Sequence, residues 1–574
     1  MIWYIADPAR YIREEAALSR LAATAAWLKP DKWRIDDALR LVWEADIVIG
    51  DRSYPIILQY PHHFPHVPPS VLPKGVSERW SGHQYGANGE LCLEWRPDNW
   101  HPEIVGADMV ESAYRLLSAE SPADEGAAPV PVRDSHVSSV GQELRGVHSR
   151  FVQTAALLDA VRALTDEDMA RITLRTLYHK ESYVAAVASI TLPDKPTWVD
   201  PGVPADLEHE GTDQEAIAWR WNSEWSLPDT TDPISFTASL AARNRLLPTD
   251  RVWRFVLIVR GEELHLYKIL KNLVIRVAEL APEEVTTRLP RSRAALCERK
   301  VAIVGCGSLG SKIASALARS GVRRFLLIDD DVLLPGNLVR HDLDWRDVGT
   351  HKADAAARRI GLVAPDAVCE TSRLRLGAQE ASAGVDALLT RLVGCDLIVD
   401  ATAEPSVFNL ICGALASGAA ALLWAEVFGG GIGGLIARHR PGLEPDPQTM
   451  RRTIEAWCAE RNSPFEKDAT AYGTGGATAM IADDADVSAI AADAARFALD
   501  TLQGGTSSFP HSVYLIGLAH AWIFEQPFDT HPIDVGPPSP DTNPSGIDAG
   551  EAEAALDRVV KLLQERGNAR SPTA

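Results

Sequence analysis

The sequence predicts a multidomain α/β chain, and three observations carry that expectation. Its 574 residues exceed what one hydrophobic core serves, by a length prior of about three or four domains. Near residue 300 an apolar strand pattern runs into a glycine loop, a helix and a second strand, the signature of a doubly wound sheet. Residues 121–131 are prolines and small residues with little to pack, which marks a linker. The expected layout is an N-terminal α+β unit over 1–125, a middle α/β domain over 126–290, and a C-terminal Rossmann-like domain over 291–574.

Each element follows from its pattern. Residues 11–28 have helical apolar spacing, residues 39–49 and 54–60 alternate as strands around a turn at Gly50, and a proline-studded loop at 61–71 enters a further short strand. A helix over 106–117 closes the unit. In the middle region the spacing predicts a helix over 149–164, strands over 183–190 and 251–259, and a hairpin partner over 261–268. The residues there give it no chemistry beyond spacing or docking. Then come a strand at 300–305, a helix at 311–320, a buried strand at 325–329, and later strands of the same parallel sheet at 397–400 and 420–424.

Composition narrows the function classes. A formal net charge of −21 opposes non-specific binding to nucleic acid or anionic membrane. No apolar run has the length of a bilayer span, and the N-terminus lacks a charged-then-apolar leader, so a cytoplasmic protein is expected. The seven cysteines are scattered and include no Cys-x-x-Cys pair, which disfavours both a disulfide framework and a paired-cysteine zinc site. His62, His63 and His66 fit no closed zinc site either, and no metal held by the protein alone is expected.

The glycine loop carries the first chemistry. Gly305, Gly307 and Gly310 follow a strand, open a helix and precede the acidic strand end Asp329 by about twenty residues. The default reading is a dinucleotide site with Asp329 on the ribose hydroxyls. Asn337, Arg340 and Lys352, which follow the acidic run Asp329-Asp-Asp331, argue for a triphosphate instead, because adenylation builds charge on the α-phosphate and the departing pyrophosphate. Taken singly, each basic residue would be read as a solvated surface charge.

This pattern, Gly305-x-Gly307-x-x-Gly310, Asp329-x-Asp331, Asn337-x-x-Arg340 and Gly349-x-x-Lys352, resembles the ubiquitin-activating superfamily and its bacterial sulfur-carrier relatives of the ThiF type, over about residues 296–430. The resemblance implies ATP with Mg2+, Asp329 on the ribose, and Asn337, Arg340 and Lys352 on the phosphates. The chain departs from the family where it reads Asp400-Ala-Thr-Ala403-Glu404, since Ala403 stands where an aspartate usually serves magnesium. Asp400 and Glu404 are the alternatives for that contact.

The second signal is Cys92. A cysteine between leucines is most often buried filler. Here Tyr54, Pro61, Phe64-Pro65, Pro68-Pro69, His83, Gly89, Leu91-Cys92-Leu93, Trp100 and Pro102 resemble ubiquitin-conjugating enzymes element by element, over about residues 35–118. That resemblance implies a UBC-like domain in which Cys92 accepts an activated C-terminus as a thioester. Where the family has His-Pro-Asn this chain has His83-Gln84-Tyr85, so Tyr85 either donates from its hydroxyl or packs, and His83 is either catalytic or fixes the loop.

A second thiol is expected upstream. Cys458 is the cysteine of residues 437–483, the place of the superfamily's crossing loop; the competing reading is a helix whose apolar face includes it. Cys306, Cys369, Cys395 and Cys412 accompany apolar segments and read as structural, and Cys297 is left unassigned.

The domain order resembles the fused enzymes of bacterial ubiquitination-like systems, notably those of CBASS anti-phage operons. It implies ATP-dependent adenylation of a protein C-terminus, thioester transfer and conjugation to a target amine. The partner would be a nucleotidyltransferase or a ubiquitin-like protein with a free C-terminus, and the enzyme a homodimer. Two other classes stay open: a sulfur-carrier adenylyltransferase of cofactor biosynthesis, and a non-catalytic scaffold.

Overall fold

The structure is a computed structural model that describes residues 2–75, 80–86, 88–120, 140–165, 168–282, 289–378, 381–416, 418–463, 482–538 and 549–569. It divides into two compact units, Met1–Arg145 and Gly146–Ala574. The linker expected at 121–131 lies outside the described residues.

In the first unit, helices α1 (Trp3–Ala6) and α2 (Pro8–Thr24) precede the strands β1 (Leu28–Ile35), β2 (Leu41–Ile49), β3 (Arg52–Gln59) and β4 (Ser70–Pro73). These four form an antiparallel meander in chain order. A hairpin of β5 (Gln84–Tyr85) and β6 (Glu90–Leu91) follows, then helix α3 (Gly106–Glu120) and the short α4 (Val140–Glu143). Helix α2 starts where Asp7 caps Arg10 N–H and Pro8 occupies the first turn. Alternate β2 and β3 residues Trp43, Ala45, Ile47, Ile56 and Leu58 bury against Leu18 and Leu21 of α2 and Val110, Ala113 and Leu117 of α3.

The second unit opens with a mixed sheet. Its strands are β7 (Ser149–Val152), β8 (Met169–His179), β9 (Ser182–Thr191), β10 (Trp198–Val199), β11 (Thr212–Trp221), β12 (Phe255–Arg260), β13 (Glu263–Ile269), β14 (Val274–Arg276) and β15 (Ala278–Leu280). They run in the order β14-β13-β12-β11-β8-β9-β7-β15, with β10 on β9 and helices α5 (Ala155–Arg162) and α6 (Pro233–Ala241) alongside in sequence. The helix expected over 149–164 is corrected here: residues 149–152 pair in parallel with β9, and the Thr154 hydroxyl accepts from Leu157 N–H, so the helix begins only at Ala155. The expected hairpin of β12 and β13 is present.

The third sheet holds β16 (Lys300–Val304), β17 (Arg324–Ile328), β18 (Val368–Ser372), β19 (Leu397–Asp400), β20 (Ala421–Phe428), β21 (Gly433–His439), β22 (Val513–Gly517) and β23 (Thr530–Pro532). The order is β18-β17-β16-β19-β20-β21-β22-β23; the first five strands are parallel and the last three antiparallel. Helices α7 (Ser308–Arg319), α8 (Lys352–Val363), α9 (Ser382–Val393), α10 (Pro405–Leu415), α11 (Pro447–Glu460) and α12 (Asp484–Gln503) cover both faces, and α13 (Ala549–Ala569) ends the described chain. Val301, Ile303, Phe325, Leu327, Leu397 and Val399 pack with α7, α8 and α12, while Ala302, Val304, Leu326, Ile328 and Ile398 pack with α9, α10 and α11. Strands buried on both faces read as unbroken apolar runs, which is why these were visible in the sequence.

Candidate active site

Three strand ends converge at the carboxyl edge of the parallel part of the third sheet: β16, β17 and β19. Gly305, directly after β16, has φ +85°, and its N–H donates to the Ile328 carbonyl at 2.9 Å. A Cβ there would lie 2.9 Å from Thr402 Cγ2, and one on Gly310 would lie 1.8 Å from the Gly305 carbonyl oxygen. A Cβ on Gly307 would meet nothing within 4 Å. Two glycines are therefore required by packing, and the third leaves open space at the N-terminus of α7, where helix N–H groups favour an anion.

Asp329 ties the loop to β17. One carboxylate oxygen accepts from Cys306 N–H at 2.8 Å and the other from Asp331 N–H at 2.9 Å. Burial raises its pKa, opposed by these N–H groups and by the Lys352 charge. Lys352, the first residue of α8, places its ammonium 2.6 Å from Asp331 and donates its N–H to the Asp331 carbonyl at 2.9 Å. Arg340 donates to the Ala482 carbonyl at 3.4 Å. The Asn337 side-chain oxygen accepts from Leu334 N–H at 2.9 Å, closing a 3-10 turn over Pro335–Val339. The structure thus joins Gly305, Gly310, Asp329, Asp331 and Lys352 by direct contacts, and sets Asn337 and Arg340 in the loop between β17 and α8.

Asp400 ends β19 beside Val304. Its carboxylate accepts from the Thr402 N–H at 3.0 Å and hydroxyl at 2.6 Å, and burial raises its pKa. One Asp400 oxygen is engaged by Thr402, and Glu404 next to it is exposed. Among the described residues no group of three or more His, Cys, Asp or Glu is arranged to hold a metal ion.

Two residues at this edge escaped the sequence reading. His341 is buried, its pKa lowered by burial, and its Nε2 lies 2.9 Å from the Cys306 carbonyl, bracing the glycine loop. Glu426, at the end of β20, has a pKa raised by burial and by the charge of Asp400. Adjacency to Arg340 was the available signal for the first; the second had none.

Cys458 lies in the last turn of α11 and packs, half-buried, with Trp457 against the cluster containing Met450 and Ile454. Burial and the Glu426 charge push its thiol up to about 11. Burial likewise raises Cys306, Cys369, Cys395 and Cys412. Residues 464–481 of the expected crossing loop lie outside the described residues.

In the first unit, Cys92 follows the β5–β6 hairpin, and its N–H donates to the His83 carbonyl at 2.7 Å. Leu91 and Leu93 are buried on either side, and Cys92 itself is half-exposed. Gln84, at the position of the family's proline, organises the segment: its side-chain oxygen accepts from Trp80 and Ser81 N–H groups, and its amide donates to the Gly89 carbonyl at 2.9 Å. His83 Nε2 lies 3.5 Å from Glu120. Tyr85 is 45% exposed; partial burial, then Glu90 and the Cys92 charge, raise its phenol to about 12. Arg96 lies near enough for Cys92 to raise its pKa, though Asp98 is the larger cause. Trp100 donates to the Pro65 carbonyl at 2.7 Å and fixes the proline loop beside this segment.

Residues 284–442 match the model of the ThiF family. This segment is a ThiF-family domain. Beyond it, the chain is 26% identical over 387 residues to the uncharacterized protein y4qC of Sinorhizobium fredii, covering 61% of this chain and 64% of that one. It is 32% identical over 149 residues to the ATP-dependent ubiquitin transferase-like protein Cap2 of Pseudomonas aeruginosa, covering 25% of each. A second Sinorhizobium fredii protein, y4oA, is 24% identical over 508 residues, 77% of this chain and 80% of that one. The chain thus spans less than two thirds of y4qC and a quarter of Cap2. The converging strand ends β16, β17 and β19 all lie within the ThiF-family domain. No helix among the described residues is long and apolar enough to cross a membrane.

Proposed function

We propose that the chain activates the C-terminal carboxylate of another protein with ATP and transfers it, through a thioester on Cys92, to an amine. The observation that carries this reading is the cluster of Gly307, Asp329, Asp331 and Lys352 inside the ThiF-family domain: open space at a helix N-terminus, an acid set for hydroxyls and a lysine set for phosphate. Cap2, named as an ATP-dependent ubiquitin transferase-like protein, supports the same chemistry.

The steps balance. A carboxylate oxygen of the substrate attacks the α-phosphorus, the bond to pyrophosphate breaks, and an acyl-adenylate forms. Lys352, Arg340 and the α7 N–H groups stabilise the charge that builds on the phosphates, and Asp329 holds the ribose. Magnesium enters with the nucleotide as MgATP. The Cys92 thiolate then attacks the acyl carbon and AMP leaves. Finally a target amine attacks the thioester and gives up a proton to solvent, giving an amide, and the thiolate of Cys92 departs.

The first unit supports the UBC-like reading by its order of helix, antiparallel meander, cysteine segment and helix. Cys458 is proposed as an optional upstream carrier; burial and the Glu426 charge raise its pKa, which lowers its thiolate fraction at neutral pH. The candidate substrates are a nucleotidyltransferase or a ubiquitin-like protein, in an anti-phage setting, and the enzyme is proposed to act as a homodimer.

The test uses the full chain, MgATP and such a partner on non-reducing gels. Cys92→Ala should abolish conjugation, and Cys92→Lys should trap a stable amide. If Cys458→Ala still loads Cys92 at an undiminished rate, the adenylate passes directly to Cys92. Conjugation that survives Cys92→Ala overturns the thioester role. Adenylation without any adduct on Cys92 favours a sulfur-carrier adenylyltransferase, and absence of adenylation with each partner favours a scaffold.

A further inference from the structure

The mixed sheet has no assigned role, yet one of its loops contacts the segment that carries Arg340 and Lys352. A 3-10 turn, Ala205–His209, leads into Glu210 just before β11. The Glu210 carboxylate accepts from Arg346 at 2.5 Å and from Arg358 at 3.4 Å. Arg346 lies in the 3-10 turn Trp345–Asp347, between Arg340 and Lys352, and Arg358 lies in α8, the helix that Lys352 begins.

From there the contacts continue to Lys352. Arg358 holds the buried carboxylate of Asp347 through Nε at 3.0 Å and Nη2 at 2.7 Å. The Asp347 carbonyl accepts from the Thr350 hydroxyl at 2.6 Å, the Thr350 carbonyl accepts from Leu333 N–H at 2.8 Å, and Lys352 N–H reaches the Asp331 carbonyl. On the other side, Arg175 of β8 pairs with Asp213 of β11 at 2.7 Å and donates to the Ala205 carbonyl at 3.5 Å, so the Glu210 turn is anchored to the sheet. A second touch lies nearby: a Cβ on Gly361 of α8 would be 3.5 Å from the Asp206 carboxylate.

We propose that Glu210 is a positioning residue, through which the mixed sheet sets the placement of the Arg340–Lys352 segment for the triphosphate. This rests on the ATP reading above. Partly exposed ion pairs add little to global stability, so the effect belongs in ligand discrimination rather than in the melting temperature. Glu210 joins two cations from different elements. Without its charge Arg346 keeps its hydrogen bonds to Asp344, and Arg358 keeps those to Asp347, so the link to the mixed sheet through Glu210 is lost.

The test is calorimetric titration of the full-length protein with MgATP and with adenosine. Glu210→Gln should weaken MgATP binding on the order of fivefold and leave adenosine binding unchanged. Glu208→Gln, an exposed neighbour in the same turn, should change neither. Equal MgATP affinity in Glu210→Gln and the parent protein overturns the proposal. A parallel loss for MgATP and adenosine also overturns it, because it reports a general structural role. A parent protein that binds no MgATP fails the ATP reading and this proposal with it; a parent that binds MgATP isolates the result to Glu210.

Discussion

Gly307 and Gly310 share one motif and make opposite demands. At Gly310 a methyl group would sit 1.8 Å from a backbone oxygen, which has no flexible side chain to yield. Gly310→Ala should cost at least about 1–3 kcal/mol in denaturant unfolding, through overpacking. At Gly307 the space is open, so Gly307→Ala should unfold like the parent while losing MgATP affinity in titration. Equal destabilisation by both would contradict the division of labour. The glycine spacing was legible in the sequence, but this division was not, because it depends on how the loop turns Gly310 back onto the Gly305 carbonyl and leaves Gly307 in open space. The placement of Asp329 at the end of β17 and of Lys352 beside Asp331 was legible from their offsets after the loop. Gln84 was passed over because an amide in place of a proline signals nothing until its partners Trp80, Ser81 and Gly89 are seen around it.

Among elements, legibility followed burial. The parallel strands β16, β17 and β19 are apolar on both faces and were visible as continuous runs. β1 was missed: Leu28–Ile35 carries Pro30 and four charges, lies at the sheet edge and bulges between Pro30 and Trp33. Edge strands tolerate such residues, so their sequences imitate loops. The helix expected over 149–164 ran two elements together, although Thr154 offered a capping signal between them. β21 and α12 are joined by an ion pair that no local pattern announces. Arg438 is fully buried and meets Asp500 at 2.6 Å. Although burial acts upward, the Ser507 and Arg438 hydrogen bonds prevail and hold Asp500 down at about 2. Its folded pKa lies below the ordinary value of about 3.9. Its stabilisation is therefore complete above that value and is lost as pH falls through about 2. Asp500→Asn should destabilise the protein by about 3–5 kcal/mol, since it strands a buried guanidinium. That penalty should persist at neutral pH and shrink in acid unfolding. A neutral effect at pH 7 would contradict the pairing.

At the scale of the whole molecule, the proposed activity draws on the unit that holds Cys92, the mixed sheet and the ThiF-family domain. The superfamily it resembles pairs two activating folds, and this chain supplies one, so a symmetric pair is the expected assembly. Light scattering at micromolar concentration should give twice the mass of 62.4 kDa; a monomer there would contradict it. The middle sheet was the least legible part because its role lies in a contact, Glu210 with Arg346 and Arg358, made by residues more than a hundred positions apart. The central claim is that the carboxyl edge of β16, β17 and β19 adenylates a protein C-terminus. Its most direct measurement is ATP–pyrophosphate exchange by the full-length chain with a ubiquitin-like protein or nucleotidyltransferase as substrate. We expect exchange that requires the substrate's free C-terminus, survives Cys92→Ala and disappears in folded Asp329→Ala; exchange undiminished by Asp329→Ala would contradict the account.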